Sequence, residues 1–143
     1  MDQAGENTQG SSGKRKTKWI VVLLLLLVVA GLVMKLPRGF SDDLTRIGKG
    51  KVAVVLVRDK NATQSFDLMD VLNSVRDQYS DRAEFLLTDF NTPEGRAFMS
   101  TNDAAKVTVV VFDAQGNKVN ILYPPQTDES MRQAIDAALQ VAK

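Results

Sequence analysis

The sequence predicts an α/β fold, a mixed four-stranded sheet flanked by helices, preceded by one N-terminal transmembrane helix. Three observations carry that reading. Residues 19–34 form an uncharged apolar run. Residues 51–58 form a β-branched run. Beyond them, strand-like and helix-like stretches alternate to the end of the 143-residue chain. The order is strand, helix, strand, helix, strand, strand, helix. Right-handed crossovers turn such an order into a mixed sheet with helices on both faces.

Residues 1–13 are polar and include three glycines. They cannot bury enough surface to fold and are expected to be disordered. Lys14, Arg15, Lys16 and Lys18 follow, completing a tail over residues 1–18. The uncharged stretch that begins at Trp19 covers roughly 24 Å as a helix, somewhat short of a ~30 Å hydrocarbon core. Leu36 and the stems of Lys18 and Lys35 extend it, so the anchor is expected over residues 19–36, with Trp19 at the interface. A core helix this apolar would need protein on every side. A cleaved signal peptide is the stronger rival, with Val28-x-Ala30 as a cleavage site, but the apolar run continues beyond it. The denser basic cluster precedes the span, and only Lys35 and Arg38 follow it closely. This predicts a single-pass protein of the bacterial inner membrane, N-terminus cytoplasmic and C-terminal domain periplasmic.

Residues 37–50 read as a linker punctuated by Pro37, Gly39, Gly48 and Gly50, in which Ser41 could cap a short helical turn over residues 42–47. The domain then spans residues 51–143. KVAVVLVR at residues 51–58 reads as a strand buried on both faces. In a helix over residues 65–79, Phe66, Met69, Leu72, Val75 and Tyr79 recur at helical steps, and Ser65 or Thr63 is placed to cap it. EFLLTD at residues 84–89 is a second strand. Asn91-Thr92-Pro93-Glu94 opens a short helix, with Pro93 at its first position. Residues 107–113 form a third strand, Ala114-Gln115-Gly116-Asn117 a hairpin turn, and residues 118–123 the returning strand. After Pro124-Pro125, Thr127 caps a last helix whose apolar face is Met131, Ile135, Ala138, Leu139 and Ala142.

These residues resemble the thioredoxins over roughly residues 50–142. In that family the first core strand runs into a Trp-Cys-x-x-Cys loop that opens a long helix. VAVVLVRDKNATQSFDLMDVLNSVRDQY fits the stretch without a gap. The family's Cys-Gly-Pro-Cys falls on Ala62-Thr63-Gln64-Ser65, and the tryptophan before it on Asn61. Its Asp-x-(Asp/Asn) turn looks like Asp89-Phe90-Asn91. Its Ile-(cis-Pro)-Thr falls on Lys106-Val107-Thr108, and its hairpin looks like residues 112–116, one residue longer. The buried acid that assists proton transfer falls on Leu56. The resemblance thus implies a thioredoxin-like scaffold, while the same positions deny thioredoxin chemistry. Fold alone does not carry activity.

The residue inventory narrows chemistry further. There is no cysteine and no histidine anywhere in the sequence. That removes thiol nucleophiles, disulfides, thiolate metal sites and imidazole bases. Ser65 has no histidine to activate it. The acidic pairs Asp42-Asp43 and Asp128-Glu129 complement helix first turns. Asp89, Asn91 and Glu94 lack the dense array of a calcium loop. No cofactor, metal or small-molecule substrate is expected. Residues 41–143 carry a net charge of −3, which gives no footprint for nucleic acid. The expected function is a non-catalytic, membrane-tethered binding module that docks a periplasmic or membrane protein partner. Its docking surface would be Asn61, Ala62, Thr63, Gln64 and Ser65 with Lys106, Val107 and Thr108. The alternatives are an accessory or assembly subunit that contacts a membrane complex mainly through its helix, and an enzyme of unknown class.

Overall fold

The computed structural model describes residues 12–34 and 39–141, which divide between two compact units, residues 1–38 and 39–143. In the first unit, helix α1 spans Ser12–Met34. The polar tail expected over residues 1–18 is therefore helical from Ser12 on, because bases and small polar residues propagate a helix nucleated by the leucine run. The expected anchor lies in α1 as far as Met34; Lys35 and Leu36 lie outside the described residues. Trp19 is 75% exposed, and Lys18 through Gly31 are all exposed. Among the described residues, no helix is long and apolar enough to cross a membrane. The stretch whose side-chain surroundings are described, residues 18–31, measures about 21 Å along the axis.

The second unit is a four-stranded sheet in the order β2-β1-β3-β4. Strand β1 (Val52–Arg58) runs parallel to β2 (Ala83–Asp89) and antiparallel to β3 (Thr108–Phe112), which pairs antiparallel with β4 (Lys118–Leu122). Helix α2 (Thr63–Tyr79) makes the crossover from β1 to β2, and α3 (Pro93–Asn102) leads from β2 to β3. Helix α4 (Asp128–Val141) is the last element. This is the mixed sheet that the alternation of elements predicts.

The pleat of β1 divides the core. Val52, Val54 and Leu56 face α2 and α4, against Leu68, Leu72, Val75, Met131 and Ile135. Ala53, Val55 and Val57 face the other side, against Leu86, Phe98, Val110 and Phe112. In α2 the inward positions are Ser65, Leu68, Leu72, Val75 and Tyr79. The predicted stripe is therefore rotated at its start: Phe66 is 52% exposed and Leu68 takes the inward place.

The segment from Gly39 to Gly50, expected as a linker, packs onto the sheet. The Phe40 ring lies 6.4 Å from that of Phe85 and under the Arg76 guanidinium at 5.2 Å. Ser41 forms a parallel bridge with Leu86, its carbonyl accepting the Leu87 N–H at 2.9 Å. Asp43 rather than Ser41 caps the following 3-10 turn, Leu44–Arg46, by accepting the Thr45 N–H. Thr92 caps α3 by accepting the Gly95 N–H at 3.0 Å, with Pro93 at the first position as predicted.

Gly95 explains how closely α3 can approach β2. A Cβ there would overlap the Asp89 carbonyl oxygen and sit 2.7 Å from its carbon and 3.2 Å from the Phe90 nitrogen. All three atoms are backbone and cannot swing aside. Gly95→Ala is expected to cost about 3 kcal/mol, read as a lower urea midpoint with an unchanged denaturant slope.

Candidate functional site

The polar groups gather where β1 and β2 end side by side, with Arg58 and Asp89 as register partners. A strand buried along its whole length can carry charge only at its tip, and the first charged residues after the apolar run are Arg58, Asp59 and Lys60. Asp59 is 5% exposed. Its backbone N–H donates to the Ser65 hydroxyl at 2.9 Å, and its carboxylate accepts the Asn61 N–H at 2.9 Å and the Lys106 ammonium at 3.3 Å. Lys106 also lies 5.3 Å from the centre of the Phe90 ring. These contacts tie the β1–α2 loop to the loop that enters β3.

Ser65 is fully buried and lies inside α2. The helix cap is Ala62, which offers no side-chain hydrogen bond. The predicted cap role of Ser65 or Thr63 is therefore corrected: the Ser65 hydroxyl is turned back onto Asp59, outside the helix. Val107 stands where the family resemblance puts a cis-proline. It is 6% exposed and has φ of 59°, a region that L residues with branched side chains rarely occupy. Its N–H donates to the Val57 carbonyl at 2.9 Å. Among the described residues, the one cis peptide bond joins Pro124 and Pro125. Leu56, at the position of the family's buried acid, is fully buried within the cluster beneath α2.

The eight residues of the expected docking surface split into two groups. Asn61, Thr63, Gln64 and Lys106 are exposed and Ala62 is half-buried, so these five can meet a partner. Ser65, Val107 and Thr108 are buried. They lie beneath the surface and hold it, Thr108 by donating its hydroxyl hydrogen to the Ala105 carbonyl at 2.8 Å. Of the anchor residues, Lys18 and Trp19 lie in α1, and Lys35 lies outside the described residues.

Sequence reasoning did not bring together the groups around them. Asp59, Lys60 and Phe90 belong to the same end of the sheet. Lys60 pairs with Asp89 at 2.9 Å, and Asp89 also accepts the Asn91 N–H at 2.9 Å. The Asn91 N–H first, and Lys60 next, hold the Asp89 carboxyl below the usual aspartate range. A cleft of about 360 Å³ opens beside them, lined in part by Arg58, Lys60, Asp89 and Thr92. Among the described residues, no group of three or more His, Cys, Asp or Glu could hold a metal ion.

No family model matches the sequence, and no curated protein matches it. Solved structures do. A thioredoxin-like protein from Clostridium perfringens superposes with a TM-score of 0.63 at 13% identity, covering 70% of this protein and 80% of its own length. A thioredoxin from Thermus thermophilus gives 0.58 at 13% identity, covering 71% and 87%. The Fasciola hepatica thioredoxin gives 0.53 at 18%, covering 64% and 84%. At these identities the likeness shows the fold alone: the protein has a thioredoxin-like α/β fold.

Restoring a proline at Val107 should fail. Proline lacks the N–H that Val57 accepts and cannot reach a positive φ. Val107→Pro is expected to lower stability by about 3 kcal/mol or more, measured by urea unfolding. The acid limb is set partly by Asp89. A carboxyl held low in the folded state stabilises fully above the ordinary aspartate value of about 3.9, and that contribution is lost as pH falls through the lower folded value. The urea midpoint should therefore fall below about pH 4, and Asp89→Asn should flatten that fall.

Proposed function

We propose that this protein is a non-catalytic, membrane-tethered binding module, in which the thioredoxin-like domain docks a protein partner at or near the membrane. The observation that carries the reading is the loop pair at the end of β1. It is fully built and tied together through Asp59 and Lys106, while the positions of the family's two thiols hold Ala62 and a buried, hydrogen-bonded Ser65. Disulfide exchange needs a thiolate, and the sequence has no cysteine. What the loops still offer is shape and a polar, solvent-facing rim: Asn61, Thr63, Gln64 and Lys106.

The tether is α1. Its leucine- and valine-rich side chains over residues 20–29 are 48–65% exposed, and sixteen consecutive residues, 19–34, carry no charge. An exposed apolar helix of that kind is stable where lipid covers it. The denser bases at its start favour a cytoplasmic N-terminus and a periplasmic domain. Tethering raises the effective concentration of the domain for partners at the same membrane. A second reading draws on the same exposed helix: an accessory or assembly subunit whose α1 makes the main contacts with a membrane complex.

Crosslinking in intact cells, followed by co-purification in mild detergent, tests both. The isolated domain, residues 39–143, added to detergent-solubilised membranes should still capture the partner if the domain docks it; capture that needs the helix supports the accessory reading. Replacing Asn61 and Gln64 with arginine should weaken capture about tenfold, a change of roughly 1.4 kcal/mol. An insulin-reduction assay should read at the buffer blank, and clear activity would overturn the non-catalytic reading.

A further inference from the structure

The longest stretch of the sequence without an acid runs from Asn7 to Ser41. It holds six bases, and four of them, Lys14, Arg15, Lys16 and Lys18, fall within five residues. Trp19 follows directly, with the uncharged run behind it. Helix α1 continues without a break from Ser12 to Met34, so the basic segment and the apolar run form one rod. From position 14 to position 18 the helix rises about 6 Å. A bilayer of about 40–45 Å with a ~30 Å hydrocarbon core leaves roughly 5–7 Å of headgroups on each side. With the apolar run in hydrocarbon, the four bases occupy the headgroup layer and little else. Lys18 is exposed, and Trp19 is 75% exposed.

The placement of the bases narrows the ligand. At 3.6 residues per turn, positions 14, 15, 16 and 18 are spread around more than half of the helix circumference. A single macromolecule meets a helix on one side and is matched by a stripe. Lipids meet it from all around and are matched by a ring. The acid-free stretch offers the bases no counter-charge of its own, so the charge that neutralises them comes from outside. A zwitterionic headgroup brings a cation of its own that competes with them, whereas an anionic headgroup does not. We infer that the four bases at the start of α1 form a binding site for the headgroups of anionic phospholipids in the surrounding leaflet. This inference rests on the tethered reading and adds which lipids hold the tether.

The sequence supplies its own reporter, because Trp19 is the one tryptophan and adjoins the cluster. The full-length protein is placed in phosphatidylcholine nanodiscs. Either phosphatidylglycerol or phosphatidylcholine, brominated near the headgroup end of its acyl chains, is added at the same low mole fraction. Bromine quenches tryptophan only at short range, so quenching reads which lipid sits beside Trp19. Brominated phosphatidylglycerol should quench at least about threefold more strongly than its zwitterionic counterpart. Raised salt should shrink that preference. Lys14→Gln, Arg15→Gln, Lys16→Gln and Lys18→Gln together keep helix-forming residues and should bring the two lipids to parity. Equal quenching in the wild type, or an undiminished preference in the fourfold variant, would overturn the site. If that variant does not enter nanodiscs, the wild-type comparison decides alone. Inorganic phosphate should lower the preference no more than chloride does at the same ionic strength; a larger loss would assign the bases to a free anion and overturn the lipid site. Quenching by both lipids without preference removes the site and leaves the tether standing. Quenching by neither removes the tether as well.

Discussion

Six consecutive residues of β1, Val52 to Val57, have no exposed surface. Both faces of the strand are covered, by α2 and α4 on one side and by α3 and the 3-10 turn on the other. Each large apolar side chain buried this way contributes about 1.5–3 kcal/mol, so this strand is where the sheet and both helical layers find their common footing. The constraint also dictates where polar chemistry can go. Nothing charged fits along the strand, and so charge begins abruptly at its tip with Arg58, Asp59 and Lys60.

At that tip a different set of interactions occupies the geometry that a thioredoxin-like fold makes available. The hydroxyl of Ser65 holds the Asp59 backbone, and the Asp59 carboxylate holds the neighbouring loop through Lys106. The side chain of Lys106 is 59% exposed, so the ion pair itself is worth little beyond about 1 kcal/mol. Its value is positional. Val107 pulls the other way: a left-handed conformation costs an L residue roughly 1–2 kcal/mol. It persists because the Val57 carbonyl fixes its N–H and the core encloses its side chain. Strain held by surrounding structure is common where loops meet partners.

Most of the fold was legible in the residues because local and global signals agree. The unbroken β-branched run of β1 announced a doubly buried strand, and Thr92-Pro93 announced the start of α3. The start of α2 misled because hydroxyls at Thr63 and Ser65 look like caps, and the bond that the Asp59 N–H donates to the Ser65 hydroxyl overrides that local preference. Residues 39–50 looked like a linker because glycines punctuate them; what docks them is Phe40 meeting Phe85 and Arg76, contacts between residues far apart in sequence. The same limit applies at the candidate site. The loop pair was readable by position, but the pairing of Lys60 with Asp89 joins the ends of two strands and leaves no local signal in the sequence.

The docked entry segment has a mechanical consequence. Phe40 and Ser41 lie alongside β2, held by ring contacts and by the Leu87 N–H bonded to the Ser41 carbonyl. Tension transmitted from residues before Gly39 meets the domain at these contacts first. Phe40 packs on the core cluster of one face of β1, and Leu44 and Ile47 on that of the other, so the segment clips over both faces at the sheet margin. The entry segment therefore works as a clasp: whatever pulls on it loads both apolar layers at the sheet margin before the load reaches the strand on which the domain depends.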